Sequence, residues 1–238
     1  MSYRILEGKR APAKVESPES IVAAFIKAES QLRDALKQHT FKREVVLQTI
    51  GPKGRITGEY LRNSEFLFDD RGNRIERVIY DSPSTIREMR ITREDLQDLA
   101  GAQLLGIDIV EAEKYLLAYA GEDFLEGRRV YQINVAPARK PDSSRMNERF
   151  FRGSLWIDAV TFQMVKARGI VEPQGKQRFP TFETWREANK STFAFPARTE
   201  ADDVLRFPHR HVNYRIRVKY YDYRHFASTV TVREIDGP

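Results

Sequence analysis

Phe150-Phe-Arg-Gly-Ser-Leu-Trp-Ile-Asp-Ala-Val-Thr-Phe-Gln-Met-Val-Lys-Ala-Arg-Gly-Ile-Val171 reads as two long strands joined by a tight turn. Phe151, Leu155 and Ile157 alternate with Arg152, Ser154 and Asp158. Such alternation marks a half-buried strand, because successive side chains leave opposite faces. Trp156 puts a large ring among the polar positions, so that second face is more than a solvated surface. Asp158-Ala-Val-Thr161 is the link, with an aspartate suited to opening a turn. The return strand is read from Phe162 to Val171, with Val165, Ala167 and Val171 on one face.

Working outward, the same signals recur on both sides. Phe41 to Ile50, Ile56 to Asp69 and Arg74 to Asp81 are strand-like, separated by Gly51-Pro-Lys-Gly54 and Asp70-Arg-Gly-Asn73. Glu113 to Gly121 and Arg128 to Pro137 precede the hairpin, and Phe179 to Glu187, Phe193 to Asp202, His211 to Tyr221 and Ser228 to Ile235 follow it. Connections this short imply antiparallel neighbours. Ser17-Pro18-Glu19 opens a helix, with a capping serine and a proline at the first helical position. Ile21, Phe25, Ala28, Leu32 and Ala35 or Leu36 follow at helical spacing, predicting an amphipathic helix from Pro18 to about Gln38. Residues 84–105 predict one or two short helices, and Leu104 and Leu105 there read as core or as an apolar finger. Residues 1–16 read as a flexible polar leader and residues 17–238 as one domain.

The expected fold class is mainly β with some α. A long antiparallel sheet must curl, because strands twist. The expectation is an unclosed half-barrel wrapped around the long N-terminal helix, with a small helical insertion.

The 238 residues carry 40 Lys and Arg against 34 Asp and Glu, a net charge of +6. A mild excess spread over both signs suits solubility before any polyanionic partner. There is no cysteine, which excludes disulfides and thiol chemistry. No apolar run is long enough to span a membrane as a helix. The opening residues do not resemble an export signal, so periplasmic residence would require one that has been removed.

Local catalytic patterns are absent. His209 and His211 share a strand face without an acid in the same pattern, and the acidic pairs Asp69-Asp70 and Asp202-Asp203 read as turn and loop chemistry. No cofactor, metal or enzymatic activity is expected. The basic and aromatic run from Phe207 to Phe226 places most rings and cations on opposite faces, so no nucleic-acid partner is expected either. What stands out is the number of rings on strands. Rings inside a curled sheet make either an ordinary aromatic core or an apolar cavity beside the helix. The candidate cavity residues are Phe25, Tyr60, Phe66, Phe68, Trp156, Phe162, Met164, Trp185, Tyr214, Ile216 and Val218.

Gly153-Ser-Leu-Trp-Ile-Asp158 followed by Phe162-Gln-Met-Val-Lys166 resembles the central hairpin of outer-membrane lipoprotein-sorting proteins of the LolA/LolB-like superfamily. Gly121 to Val135 is similar to the strand pair before that hairpin, and Phe195-Pro196 with Val212 to Phe226 to the closing strands. The resemblance covers roughly residues 20 to 235. It implies a periplasmic carrier that takes a lipid or lipoprotein acyl chain into an apolar cavity under a movable helix, with an inner- or outer-membrane protein as a further partner. A lipid-sensing or protein-interaction module with a filled core is the alternative on the same scaffold.

Overall fold

The computed structural model describes residues 17–69, 71, 73–91, 109–142, 149–173, 179–188 and 191–226. One α-helix, α1 (Pro18–Leu36), precedes ten strands: β1 (His39–Ile50), β2 (Ile56–Phe68), β3 (Arg74–Asp81), β4 (Tyr115–Leu125), β5 (Arg128–Pro137), β6 (Phe150–Asp158), β7 (Met164–Glu172), β8 (Phe182–Glu187), β9 (Phe195–Phe207) and β10 (Arg210–His225). They form one antiparallel sheet in the order β3-β2-β1-β10-β9-β8-β7-β6-β5-β4. Each strand therefore lies beside its neighbour in sequence, with one exception. The chain leaves β3 at one edge and enters β4 at the other, while β10 returns to pair with β1. The sheet is an up-and-down barrel left open between β3 and β4, as the alternation and short turns predicted.

The hairpin turn works as its sequence suggests. The Asp158 carboxylate accepts from the backbone N–H groups of Val160 and Thr161, both at 2.9 Å. Phe162 donates its N–H to Asp158 O and takes a positive φ of 56°. The return strand accordingly begins at Met164, two residues later than expected. A register shift between Trp156 and Ile157 lets Met164 take the inward place opposite Ile157. Further along, Gly153 lies opposite Gly169, and a Cβ on Gly169 would stand 2.6 Å from the Phe151 ring. The paired glycines give that ring its seat across two strands, and no larger residue leaves room for it.

The inner face carries the core. On β1 it is Phe41, Arg43, Val45, Leu47 and Thr49, and on β10 Val212, Tyr214, Ile216, Val218 and Tyr220. α1 lays Ile21, Phe25, Ala28, Glu29, Leu32, Ala35 and Leu36 against this face. Ser17 caps the helix as expected, accepting from Ser20 N at 3.2 Å.

Three expectations shift. The chain from 82 to 91 is not helical: it runs along β2, with Ser82 N–H to Leu61 O at 2.9 Å and Thr85 N–H to Glu59 O at 3.0 Å. Its serine and threonine hydroxyls answer β2's own amides, and Ile86 packs over Gly58, where a Cβ would stand 2.6 Å from Ile86 Cα. The remainder of the expected helical insertion, including Leu104 and Leu105, lies outside the described residues, as do residues 1–16 and the strand expected at Ser228 to Ile235. Second, β4 continues to Leu125, and Glu126-Gly127 makes the turn. Third, β9 and β10 outrun their expected ends, reaching Phe207 and His225.

Candidate functional site

Alternation decides where the candidate side chains point. Tyr60 and Phe66 on β2, Met164 on β7, Tyr214, Ile216 and Val218 on β10 and Phe25 on α1 all face inward and are buried in one packed cluster. Phe162 packs against the rim of that cluster from the hairpin turn, stacked on Tyr131 with ring centroids 6.2 Å apart. Phe68, near the end of β2, sits under Arg74 at 5.4 Å and against Phe226 at 5.2 Å.

Trp156 and Trp185 are placed otherwise. Their strand neighbours Leu155, Ile157, Thr184 and Arg186 are buried inward, so both indoles lie on the outer face. There they form a cross-strand row, Trp156–Lys166–Trp185–Arg198, fixed by the register of four strands. Lys166 Nζ stands 5.2 Å from the Trp156 ring and 4.6 Å from that of Trp185, and the Arg198 guanidinium covers Trp185 at 4.6 Å. Cations over indole faces account for these rings without an interior cavity.

Polar groups also lie on the inner face of the sheet, on β8, β9, β1 and β2. Arg186 on β8 makes a bidentate pair with Glu29 of α1, at 2.5 and 3.0 Å, with both side chains buried. Thr184 and Thr199 hydrogen-bond at 2.9 Å beside it. Arg43 donates to Glu76 of β3 at 2.9 Å, and the same Oε1 accepts from Ser64 at 2.6 Å and Arg62 at 3.2 Å. Burial opposes the Glu76 charge. The Ser64 hydroxyl, Arg62 and Arg43 outweigh it, and the carboxyl stays below its ordinary value. Burial pushes the neighbouring Tyr220 phenol up to about 12, so it remains neutral.

The helix C-terminus is tied to the sheet by Arg74, which donates to Leu36 O and, at 2.9 Å, to His39 O. His39 Nδ1 donates to Ala35 O at 2.6 Å. Burial lowers the pKa of the Arg74 guanidinium, and its stacking over Phe41 and Phe68 offsets part of that desolvation.

At the other end of α1 an open apolar groove of ≈ 500 Å³ runs between the helix and the edge strand β4. Val22, Ala23 and Ile26 form one wall, Leu117 and Tyr119 the other, and Pro18 with Glu19 the rim. Val22, Ile26, Leu117 and Tyr119 are half-buried and pack against the core cluster, so the groove floor is continuous with the core. Its volume is within the roughly 300–1,000 Å³ of small-molecule sites, and its walls offer dispersion contacts with one charged rim. None of its wall residues was among the sequence candidates. Two signals pointed at them: Val22 and Ile26 sit one step round the helix from Ile21 and Phe25, and Tyr115, Leu117 and Tyr119 alternate inward along β4.

Among the described residues no helix is long and apolar enough to cross a membrane. No protein-family model matches the chain, and no curated protein matches it by sequence. Among solved structures it is similar to a DUF1329 family protein from Desulfovibrio piger, at 13% identity and a TM-score of 0.41, over 86% of this chain and 92% of that one. It is also similar to a LolA superfamily protein from Nitrosomonas europaea, at 13% identity and 0.40, over 90% and 96%. A domain described as a putative outer-membrane lipoprotein-sorting protein, from Vibrio parahaemolyticus, aligns at 12% identity and 0.40, over 89% and 94%. Likenesses this distant leave the function to be argued from the chain's own residues.

Proposed function

We propose that this protein is a non-covalent binding protein for the acyl chain of a lipid or lipoprotein, seated in the groove between α1 and β4. The observation that carries the reading is an apolar groove that is open to solvent yet floored by the core. Each methylene moved from water onto such walls contributes about 0.8 kcal/mol. A chain of several methylenes would therefore hold without a single polar contact. The resemblance of the β5–β7 sequences to lipoprotein-sorting proteins puts the reading in the periplasm, as a carrier in lipoprotein sorting.

The helix acts as a lid only at its N-terminal end. Glu29 and its buried partner Arg186 oppose movement of the whole helix, because separating them strands two charges in the interior. The Pro18–Ile26 half borders the groove and is the part free to widen it.

Organic-solvent extraction of the purified protein followed by mass spectrometry tests this directly, together with uptake of a fluorescent fatty acid. Bound lipid or saturable uptake is expected, and Val22→Asp or Leu117→Asp should reduce it by at least about tenfold. Trp156→Ala, on the outer face, should leave uptake unchanged. A chain that neither retains nor takes up lipid overturns the reading.

The edge strand β3 favours a second reading, a protein-interaction module. All eight of its residues are exposed, including Ile75, Val78, Ile79 and Tyr80. Among the described residues no strand pairs with its outer edge, and such an edge is a template for an added strand. Absent lipid uptake, together with hydrogen-exchange protection of the β3 amides that grows with protein concentration, would support it.

A further inference from the structure

Two hairpin ends meet where β1 runs beside β10, and both are basic. The β1–β2 turn is closed by Gly51 N–H to Arg55 O at 2.7 Å. Asn213, near the start of β10, donates its Nδ2 to Ile50 O at 3.2 Å, which holds the β9–β10 turn beside the first. Lys53 and Arg55 project from one turn, and Arg206, His209, Arg210 and His211 from the other, all of them exposed. Arg206 lies opposite His211 across the strand pair, and Arg210 stacks over Phe207 at 5.3 Å. No acid occurs between residues 50 and 58 or between 204 and 214.

Elsewhere on the outer face cations stand in pairs. Lys42, Arg77, Arg152, Lys166, Arg198 and Arg215 each contact a carboxylate. Among the described residues, Lys53, Arg55, Arg206 and Arg210 contact none. The acids next along these strands are already engaged: Glu59 with Gln48 at 2.6 Å, Asp202 with Arg215 at 2.7 Å, and Asp203 with the Thr181 N–H at 2.8 Å. Glu88 accepts from the hydroxyls of Thr57 and Thr49 at 2.8 and 3.1 Å. Like charges gathered without counter-charges repel one another, and an external polyanion relieves that repulsion.

We propose that this end of the sheet is a docking surface for an anionic lipid bilayer. Charge sets the sign of the partner, and shape sets its kind. The cations stand on two hairpin tips rather than along a groove, with apolar side chains set among them: Ile56, 48% exposed, beside Arg55, and Pro52 and Pro208 at the turns. Such tips fit a headgroup layer, where each Lys or Arg gains from the negative surface potential and short apolar groups reach the interface. Single-stranded nucleic acid calls for open ring faces to stack on, and Phe207 at this end is covered by Arg210. Because neighbouring strands alternate in direction, β4 begins at this same end, with the Leu117 wall of the groove close to its start. Docking goes beyond the acyl-chain reading and does not rest on it.

Co-sedimentation of the full chain with vesicles of phosphatidylcholine alone, and of phosphatidylcholine with about 30 mol% phosphatidylglycerol, tests the proposal. Binding to the anionic vesicles alone is expected at low salt, with release in about 0.5 M sodium chloride. Lys53→Gln, Arg55→Gln, Arg206→Gln and Arg210→Gln should each weaken partitioning about fivefold with the circular dichroism spectrum unchanged. Lys219→Gln, which removes the same charge from the outer face, should change it by less than about twofold. Docking is read without fatty acid present, so its outcome stands whether or not the groove takes up lipid. No binding to anionic vesicles, equal binding to neutral ones, an equal loss in Lys219→Gln, or tighter binding of a single-stranded oligonucleotide at the same salt would each overturn it.

Discussion

The two halves of α1 are held in opposite ways. The C-terminal half is fixed by directional contacts: Glu29 to Arg186, Arg74 to the last carbonyls, His39 to Ala35. The N-terminal half is held by Ile21 and Phe25, each about 1% exposed, sunk into an apolar cluster. Ion pairs and hydrogen bonds weaken steeply when their geometry changes. Apolar burial is non-directional and tolerates sliding. The same helix is therefore an anchor at one end and a yielding wall at the other, and the groove lies at the yielding end.

Breaking the anchor should have the largest effect. Glu29→Ala leaves Arg186 buried without its partner and should cost about 3–5 kcal/mol in denaturant unfolding. The double variant Glu29→Leu with Arg186→Leu should recover much of that loss, because it removes both charges together. A double variant as unstable as the single one would mean the pair does more than neutralise itself. Next, Arg74→Ala should lose about 1.5–3 kcal/mol, with hydrogen exchange accelerated at the C-terminal turn of α1 more than at its start. Exchange raised evenly along the helix would contradict a localised pin.

Ser17→Ala sharpens the comparison from the other end. Losing the cap should cost about 1 kcal/mol and fray the first turn, and if the lid reading holds it should speed fatty-acid uptake rather than abolish it. The smallest expected effect is one of pH. The Glu76 carboxyl lies below its ordinary value of 4.5 in the folded chain, where burial is outweighed by Ser64, Arg62 and Arg43. A depressed folded pKa stabilises above the unfolded value, and that contribution disappears as pH falls through the folded one. Melting temperature should therefore fall as acid is added below about pH 4.5, and less so in Glu76→Gln. Equal acid sensitivity in the two proteins would assign the effect to other carboxylates.

Much of the sheet was legible because its signal is local. Alternation in β6 and β10 and the turns at Gly51-Pro-Lys-Gly54 and Asp158 carry their own cues, and so does the capped helix. The misassigned stretch, residues 84–91 of the helices expected at 84–105, has Ser84 and Thr85 in a polar run that resembles a helix lead-in. Its actual role, with Ser82 before it, is to answer amides of β2 that β3 leaves open, a partnership between residues 21 and 26 apart. The tryptophans are instructive in another way. Alternation already set Trp156 on the polar side of its strand, yet aromaticity drew it into the list of cavity residues. Its real neighbours, Lys166 and then Trp185, come from two other strands, and only their register lines them up.

Local pattern was enough to specify an open, curled antiparallel sheet with a helix on its apolar face, because side-chain periodicity and turn chemistry act between near neighbours. The tertiary structure alone decided which rings became packed core, which went outside, and where the groove opened. Those features depend on strand register and on the gap between β3 and β4, where residues far apart in the chain meet or fail to meet.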